Sequence, residues 1–422
     1  MITVLLDKAE FEYDIHSLVK AFYPKEDVYV STKDKEKKEE PVHYHMDVQF
    51  APKEIIFSWK KVEPSEENEN QTGITKRVAV DDTNRKETKN SLKRTLYQLL
   101  SEYTGVELPW GNLTGIRPTK IPMALLEEGK SEEEIARYMK ETYFTSDEKI
   151  KLSIEIAERE LELLHKLDYE EGYSLYIGIP FCPTTCLYCS FTSYSMSAWK
   201  NRMDDYLSAL EKELDYTAVK FAHKKLNSIY IGGGTPTTLN PQQLDRLIRK
   251  IKCSFDLSNL VEFTVEAGRP DSITKEKLMV LRNHDISRIS INPQTMKQET
   301  LDLIGRHHTV QQTIDSFYLA RELGFDNINM DLIVGLPGES LSDVADTMEV
   351  IRKLSPDNLT VHSLAIKRAA RLNIQRERYQ DFEIVNTADH IALTSKVAEE
   401  MGLSPYYLYR QKNMAGNFEN VG

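Results

Sequence analysis

From residue 174 onward, short apolar runs alternate with longer stretches of helical periodicity, and this alternation restricts the fold more than any other feature. The runs are Leu175–Ile179, Ser228–Gly232, Glu262–Glu266, Arg288–Ile291, Ile328–Val334 and Leu359–Leu364. Between them, helices are predicted over Trp199–Phe221, Pro241–Cys253, Thr274–His284, Gln311–Gly324 and Ser342–Leu354. Parallel strands need a crossover to join them, and a helix supplies it. The predicted class is therefore α/β, built from six strand–helix units.

The first third reads differently, as an α+β unit. Ile2–Leu6 is strand-like, Phe11–Phe22 helical, and His43–Phe50 with Glu54–Trp59 form a hairpin about Ala51-Pro52. Lys60–Gly73, reading KKVEPSEENENQTG, is predicted as an exposed loop. Val78–Val80 returns as a strand. Asn84–Tyr103 carries Leu92, Leu96, Leu99 and Leu100 at helical spacing. Gly105–Ile121 is turn-rich yet holds Trp110 and Arg117, and reads as a packed connector or as a contact for substrate or partner. Helices follow over Pro122–Glu128, Ser131–Tyr143 and Ser146–Leu167. No chemistry is legible here, and the apolar stripes read as core.

Bulk properties exclude three classes. No apolar run approaches the ~18–20 residues of a membrane span, and MITVLLDKAEF is too short and acidic for a signal peptide. A cytoplasmic chain without a membrane span is expected. A net charge of −12 argues against nucleic acid as a partner, since that needs a basic face.

The chemistry lies in YSLYIGIPFCPTTCLYCSFTSY, Tyr173 to Tyr194, which holds three of the four cysteines: Cys182, Cys186 and Cys189. Pro180 closes the preceding run, so the thiols sit on the loop leaving a strand's carboxyl end, where α/β sheets bind ligands. Disulfides fit poorly, because the setting is cytoplasmic and only Cys253 remains as a partner. Structural zinc normally takes four closed ligands in two pairs, and the second pair is missing. An iron–sulfur cube fits better: three thiolates hold it and one iron stays open. The next strand ends in Gly232-Gly233-Gly234-Thr235-Pro236-Thr237, neither a phosphate loop nor a dinucleotide fingerprint. Its glycines let backbone approach a ligand closely.

C-x3-C-x2-C with Tyr188 before the last cysteine resembles the cluster loop of radical S-adenosylmethionine (SAM) enzymes. With IPFCPTTCLYCSF and the later motifs, the chain from Gly172 onward is similar to oxygen-independent coproporphyrinogen III oxidase-like proteins of the HemZ type. The resemblance implies a partial (β/α)6 radical SAM barrel, residues 168–370, preceded by an N-terminal domain, 1–167, and followed by a truncated C-terminal segment, 371–422. It also implies a 4Fe–4S cluster on Cys182, Cys186 and Cys189, with one or two molecules of S-adenosyl-L-methionine. The first cofactor molecule would meet Tyr176, Tyr188, Gly233 and the ribose-binding acid Glu266. The second would meet Gly234, Thr235, Gln294, Arg306 and Asp331, with Ala365 offering a backbone contact. No catalytic side chain is singled out.

In such enzymes a 5′-deoxyadenosyl radical abstracts hydrogen from substrate propionates. Two oxidative decarboxylations then convert coproporphyrinogen III to protoporphyrinogen IX, with a reductant such as flavodoxin or ferredoxin as partner. Lys367, Arg368, Arg371, Arg376 and Arg378 read either as carboxylate contacts or as a solvated helix face. His307-His308 reads as exposed filler or as a haem ligand. One departure stands out: the porphyrinogen-oxidising members carry a fourth cysteine where this chain has Phe191. The C-S-F ending resembles the family's haem chaperones, so delivery of haem is the alternative function.

Overall fold

The structure, a computed structural model, describes residues 1–32, 41–62, 73–81, 83–191, 193–379, 381–411 and 418–422. Most of the expected 60–73 loop, residues 63–72, lies outside the described residues. The chain forms two compact units: Met1–Glu158 with Leu408–Glu419, and Arg159–Tyr407 with Asn420–Gly422.

The first unit holds a five-stranded sheet of β1 (Ile2–Leu6), β2 (Val28–Thr32), β3 (Tyr44–Ala51), β4 (Glu54–Lys61) and β5 (Ile74–Ala79), in the order β2-β1-β3-β4-β5. β3 and β4 form the expected hairpin, with Ala51 opposite Glu54. Alternation along these strands buries Met46, Val48, Ile55, Phe57 and Trp59. They share a core with Ile15 and Leu18 of helix Glu12–Phe22 and with Leu92, Leu96 and Leu99 of helix Arg85–Thr104. The second helix starts where Asn84 accepts a hydrogen bond from the Glu87 amide, a capping arrangement. β2 was not anticipated: this edge strand buries only Val30 and Ser31, so its alternation is weak. Trp110 is fully buried and its indole N–H donates to Glu419 Oε2 at 2.7 Å, so this part of the turn-rich segment is packed.

The second unit carries the predicted parallel sheet. Its strands are β6 (Gly172–Ile179), β9 (Lys225–Gly233), β10 (Glu262–Glu266), β11 (Arg288–Ser290), β12 (Ile328–Val334) and β13 (Asn358–Ser363). Two short strands intervene, β7 (Phe181–Cys182) and β8 (Tyr194–Ser195). The six strands of this sheet named first are parallel and lie in chain order from β6 to β13. Each helical crossover thus adds its strand to the same growing edge. Period-two alternation sends Ile177, Ile179, Ile229, Ile231, Phe263 and Val265 into a core shared with Leu244, Leu247 and Ile248 of helix Pro241–Ser254. It leaves Tyr176, Gly178, Tyr230, Gly232 and Glu266 on the opposite face, where Tyr176 is in register with Tyr230 and Gly178 with Gly232. After β13 come helix Ala388–Glu400 and a short strand, Asn420–Val421, antiparallel to β13; neither was anticipated.

Candidate functional site

The cysteine loop is pinned at several points along its length. β7 pairs with β8, and the Tyr194 amide donates to the Pro180 carbonyl at 2.7 Å. Leu187 is buried among Leu301, Ile304, Leu336 and Leu372, its amide donating to Ile304 O and its carbonyl accepting from the Leu372 amide, both at 2.9 Å. The Thr184 hydroxyl donates to Gly305 O at 2.8 Å. An apolar anchor therefore holds the loop while Cys186 is buried and Cys182 and Cys189 stay partly exposed. Burial pushes the Cys182 and Cys189 thiols above their ordinary range, so without a metal they are protonated. Among the described residues, no three His, Cys, Asp or Glu side chains converge as ligands of a single ion. A cube takes one thiolate per iron, so its ligands need not converge on one point.

The glycine turn packs directly against this loop. Gly233 has φ 107°, open to glycine but strained for other residues. The Gly234 amide donates to Ile179 O at 2.8 Å, and a Cβ there would lie 2.7 Å from Phe181 O. A Cβ on Gly232 would lie 2.6 Å from the Tyr230 ring and 3.1 Å from the Glu266 carboxylate. Thr235 is buried, and its hydroxyl reaches Cys182 Sγ at 3.5 Å.

Beside the turn lies a cleft of about 330 Å³ lined by Tyr176, Gly178, Pro180, Phe191, Tyr206 and Gly233. The Tyr176 ring stacks on Tyr230, centroids 5.9 Å apart and planes 11° apart. Tyr230 in turn donates its hydroxyl to Glu266 Oε1 at 2.5 Å. Burial pushes the Glu266 carboxyl up to about 7; the Tyr230 hydrogen bond opposes that rise and the Asp331 carboxylate adds to it.

The remaining predicted residues lie toward β11–β13. Gln294 has φ 69°; its amide donates to Asp331 O and its carbonyl accepts from the Ile333 amide, both at 2.9 Å. Arg306 is buried, and Nη1 donates to Asn292 O at 2.5 Å and Gly268 O at 3.3 Å. Asp331 accepts from Asn329 Nδ2 at 2.7 Å and lies 3.9 Å from His362 Nε2. Burial would raise the Asp331 carboxyl, but the neighbouring His362 imidazole and the hydrogen bond from Asn329 outweigh it and hold the group below its ordinary value. Tyr188 is a partly buried neighbour of the Leu187 cluster. Ala365 is buried two residues beyond β13. Arg368, Arg371, Arg376 and Arg378 are exposed.

Two residues at the site were missed by sequence reasoning. Tyr230 could have been found, since it lies in register with Tyr176 and two residues before the glycine turn. Arg269 carried no local signal: it is 3% exposed and lies against the cysteine loop. His308 corrects an expectation, for it is fully buried rather than surface filler. Burial, with Arg306 and Arg269 nearby, lowers its pKa to about 4, so it is uncharged at neutral pH. His307 is exposed.

Residues 176–351, which carry the thiol loop and the glycine turn, match the family model of the Radical SAM superfamily, and the α/β sheet above is its partial barrel. Membership of that class implies a 4Fe–4S cluster and S-adenosylmethionine. The oxygen-independent coproporphyrinogen-III oxidase-like protein HemZ of Bacillus subtilis (strain 168) is 44% identical over 341 residues, 80% of this chain and 68% of the relative. The chain belongs to that family. The heme chaperone HemW of the same organism is 40% identical over 198 residues, 46% of this chain and 51% of its own. The oxygen-independent coproporphyrinogen III oxidase of Escherichia coli (strain K12) is 33% identical over 196 residues, 46% of this chain and 42% of its own. The residues present fit the implied groups: three thiols stand on one anchored loop, and Gly233 of the adjoining turn lines the cleft beside it.

Proposed function

We propose that the chain is an oxygen-independent coproporphyrinogen III dehydrogenase-like enzyme, converting two propionates of that substrate to vinyl groups. The observation that carries this reading is the thiol loop packed against the glycine turn, in a chain 44% identical to a coproporphyrinogen-III oxidase-like protein. Cys182, Cys186 and Cys189 would hold the cluster. One or two molecules of S-adenosylmethionine would bind: Tyr176, Tyr188, Gly233 and Glu266 would hold the first, and Gly234, Thr235, Gln294, Arg306, Asp331 and Ala365 would meet a second where one binds. The functional barrel is placed at 168–370, with 1–167 and 371–422 flanking it. When bound, the cluster and S-adenosylmethionine supply a hydrogen-abstracting radical started by one electron, which flavodoxin or ferredoxin would deliver. The chain's part is orientation: Glu266 accepts ribose hydroxyls, the Tyr176 and Tyr230 rings bound one side, and the glycine turn presents backbone polar groups.

A second reading has its own support. Phe191 stands where the oxidising members carry cysteine, and the chain is 40% identical over 198 residues to a heme chaperone. The deciding experiment is an anaerobic assay of reconstituted protein with coproporphyrinogen III, S-adenosylmethionine and a reductant. Protoporphyrinogen IX, 5′-deoxyadenosine and carbon dioxide are expected. Tight haem binding with no carbon dioxide would replace the enzyme reading with the chaperone.

A further inference from the structure

Arg269 lies in the loop after β10, and its guanidinium is committed on every side. Nε donates to Asp271 Oδ1 at 3.0 Å and Nη2 to Asp271 Oδ2 at 2.7 Å, a two-pronged clamp. Nη1 donates to Thr184 O at 3.1 Å and Thr184 Oγ1 at 2.9 Å, and lies 3.9 Å from Cys186 Sγ. The arginine is 3% exposed and its contact with Cys186 is buried, where charge acts most strongly, whereas Asp271 reaches the surface. Asp271 fixes the direction of the fork and also offsets part of its charge. The pairing with Asp271 and Thr184 offsets the cost of burying the arginine and leaves a fixed cation with one arm on Cys186 Sγ and on that thiol's loop.

We propose that Arg269, oriented by Asp271, is a positioning residue that sets the reduction potential of the iron–sulfur site through Cys186. The proposal rests on the iron–sulfur reading above. Cluster potentials respond to hydrogen bonds at sulfur, nearby charge and solvent exposure. Reduction adds one negative charge beside Cys186. A cation there favours the reduced state, and an anion opposes it. Arg269 and Asp271 therefore act in opposite directions although they form one pair.

The test is the midpoint potential of the anaerobically reconstituted cluster, measured by redox titration with electron paramagnetic resonance, together with iron and sulfide per chain. Arg269→Gln is expected to make the potential more negative and Asp271→Asn more positive, each by roughly tenfold in the reduction equilibrium, about 59 mV for one electron. Should Arg269→Gln fail to fold or hold iron, the sign of the Asp271→Asn shift decides. Two unshifted potentials, or two shifts of the same sign, overturn the proposal while the wild-type cluster still supports the iron–sulfur reading. If the wild-type protein binds no iron, both readings fall.

Discussion

The two halves of the parallel sheet present polar groups near the same end but commit them differently. On the β6–β10 side, Tyr176, Gly233 and Tyr206 line an open cleft, and the Glu266 carboxyl beside it has one short hydrogen bond from Tyr230. On the β11–β13 side, Arg306 Nη1 is engaged by two carbonyls, Asp331 is held by Asn329 and His362, and the Gln294 backbone is bonded to β12. The first half resembles a socket with a wall, the second a set of internal ties. A ligand entering the second half must displace these bonds, which weakens net binding, although the buried Arg306 Nε has no hydrogen-bond partner among the described residues. Motif matching treats both halves alike, whereas their hydrogen bonding separates them.

The largest expected effect lies on the first side. Replacing Cys182, Cys186 and Cys189 together by Ala is expected to remove essentially all reconstitutable iron, measured by iron and sulfide content and visible absorbance. The same iron content as the wild type would undo the socket. Next comes Gly234→Ala. Its methyl would meet Phe181 O at 2.7 Å and Phe181 N at 2.8 Å, both backbone atoms that cannot swing aside. Overpacking of this kind costs about 1–3 kcal/mol, so chemical denaturation is expected to show that loss. Iron content is expected to fall with it, since the displaced segment bears Cys182.

How much of this was legible in the sequence depended on whether the signal was local. β10 and β12 were readable to the residue because β-branched runs end at Gly, Ala or a charged side chain. The cysteine loop and glycine turn were readable because their spacing is itself the chemistry. Helix Ala388–Glu400 was not, since the side chains it buries are His390 and Thr394, which blur the apolar period. The roles of Arg269 and His308 were also hidden. Arginine is ordinarily exposed, and the Thr184 that Arg269 grips is 85 residues away in sequence. Pairings at that distance are fixed by the fold and leave no trace in a short window.

The smallest effect, and the sharpest test of the contrast between halves, compares Glu266→Gln with Asp331→Asn. Below about pH 7 the Glu266 carboxyl is protonated and, in its proposed role, would accept ribose hydroxyls poorly; above it, the carboxylate would accept two. Affinity for S-adenosylhomocysteine, read by calorimetry, is therefore expected to rise as pH passes upward through about 7. Glu266→Gln is expected to flatten that rise and weaken binding about tenfold, the value of a hydrogen bond to a charged group. Asp331 is held below its ordinary value and is already ionised across this window. Asp331→Asn removes a charge that helps raise the Glu266 carboxyl, so it is expected to move the rise to lower pH without flattening it, and to weaken binding by less than about threefold, within one neutral hydrogen bond. Calorimetry also counts sites. One site per chain, insensitive to Asp331, keeps the two halves distinct, because the internal ties then hold without ligand. Two sites, with the second lost in Asp331→Asn, would mean that the ties open at modest cost and that both halves are sockets.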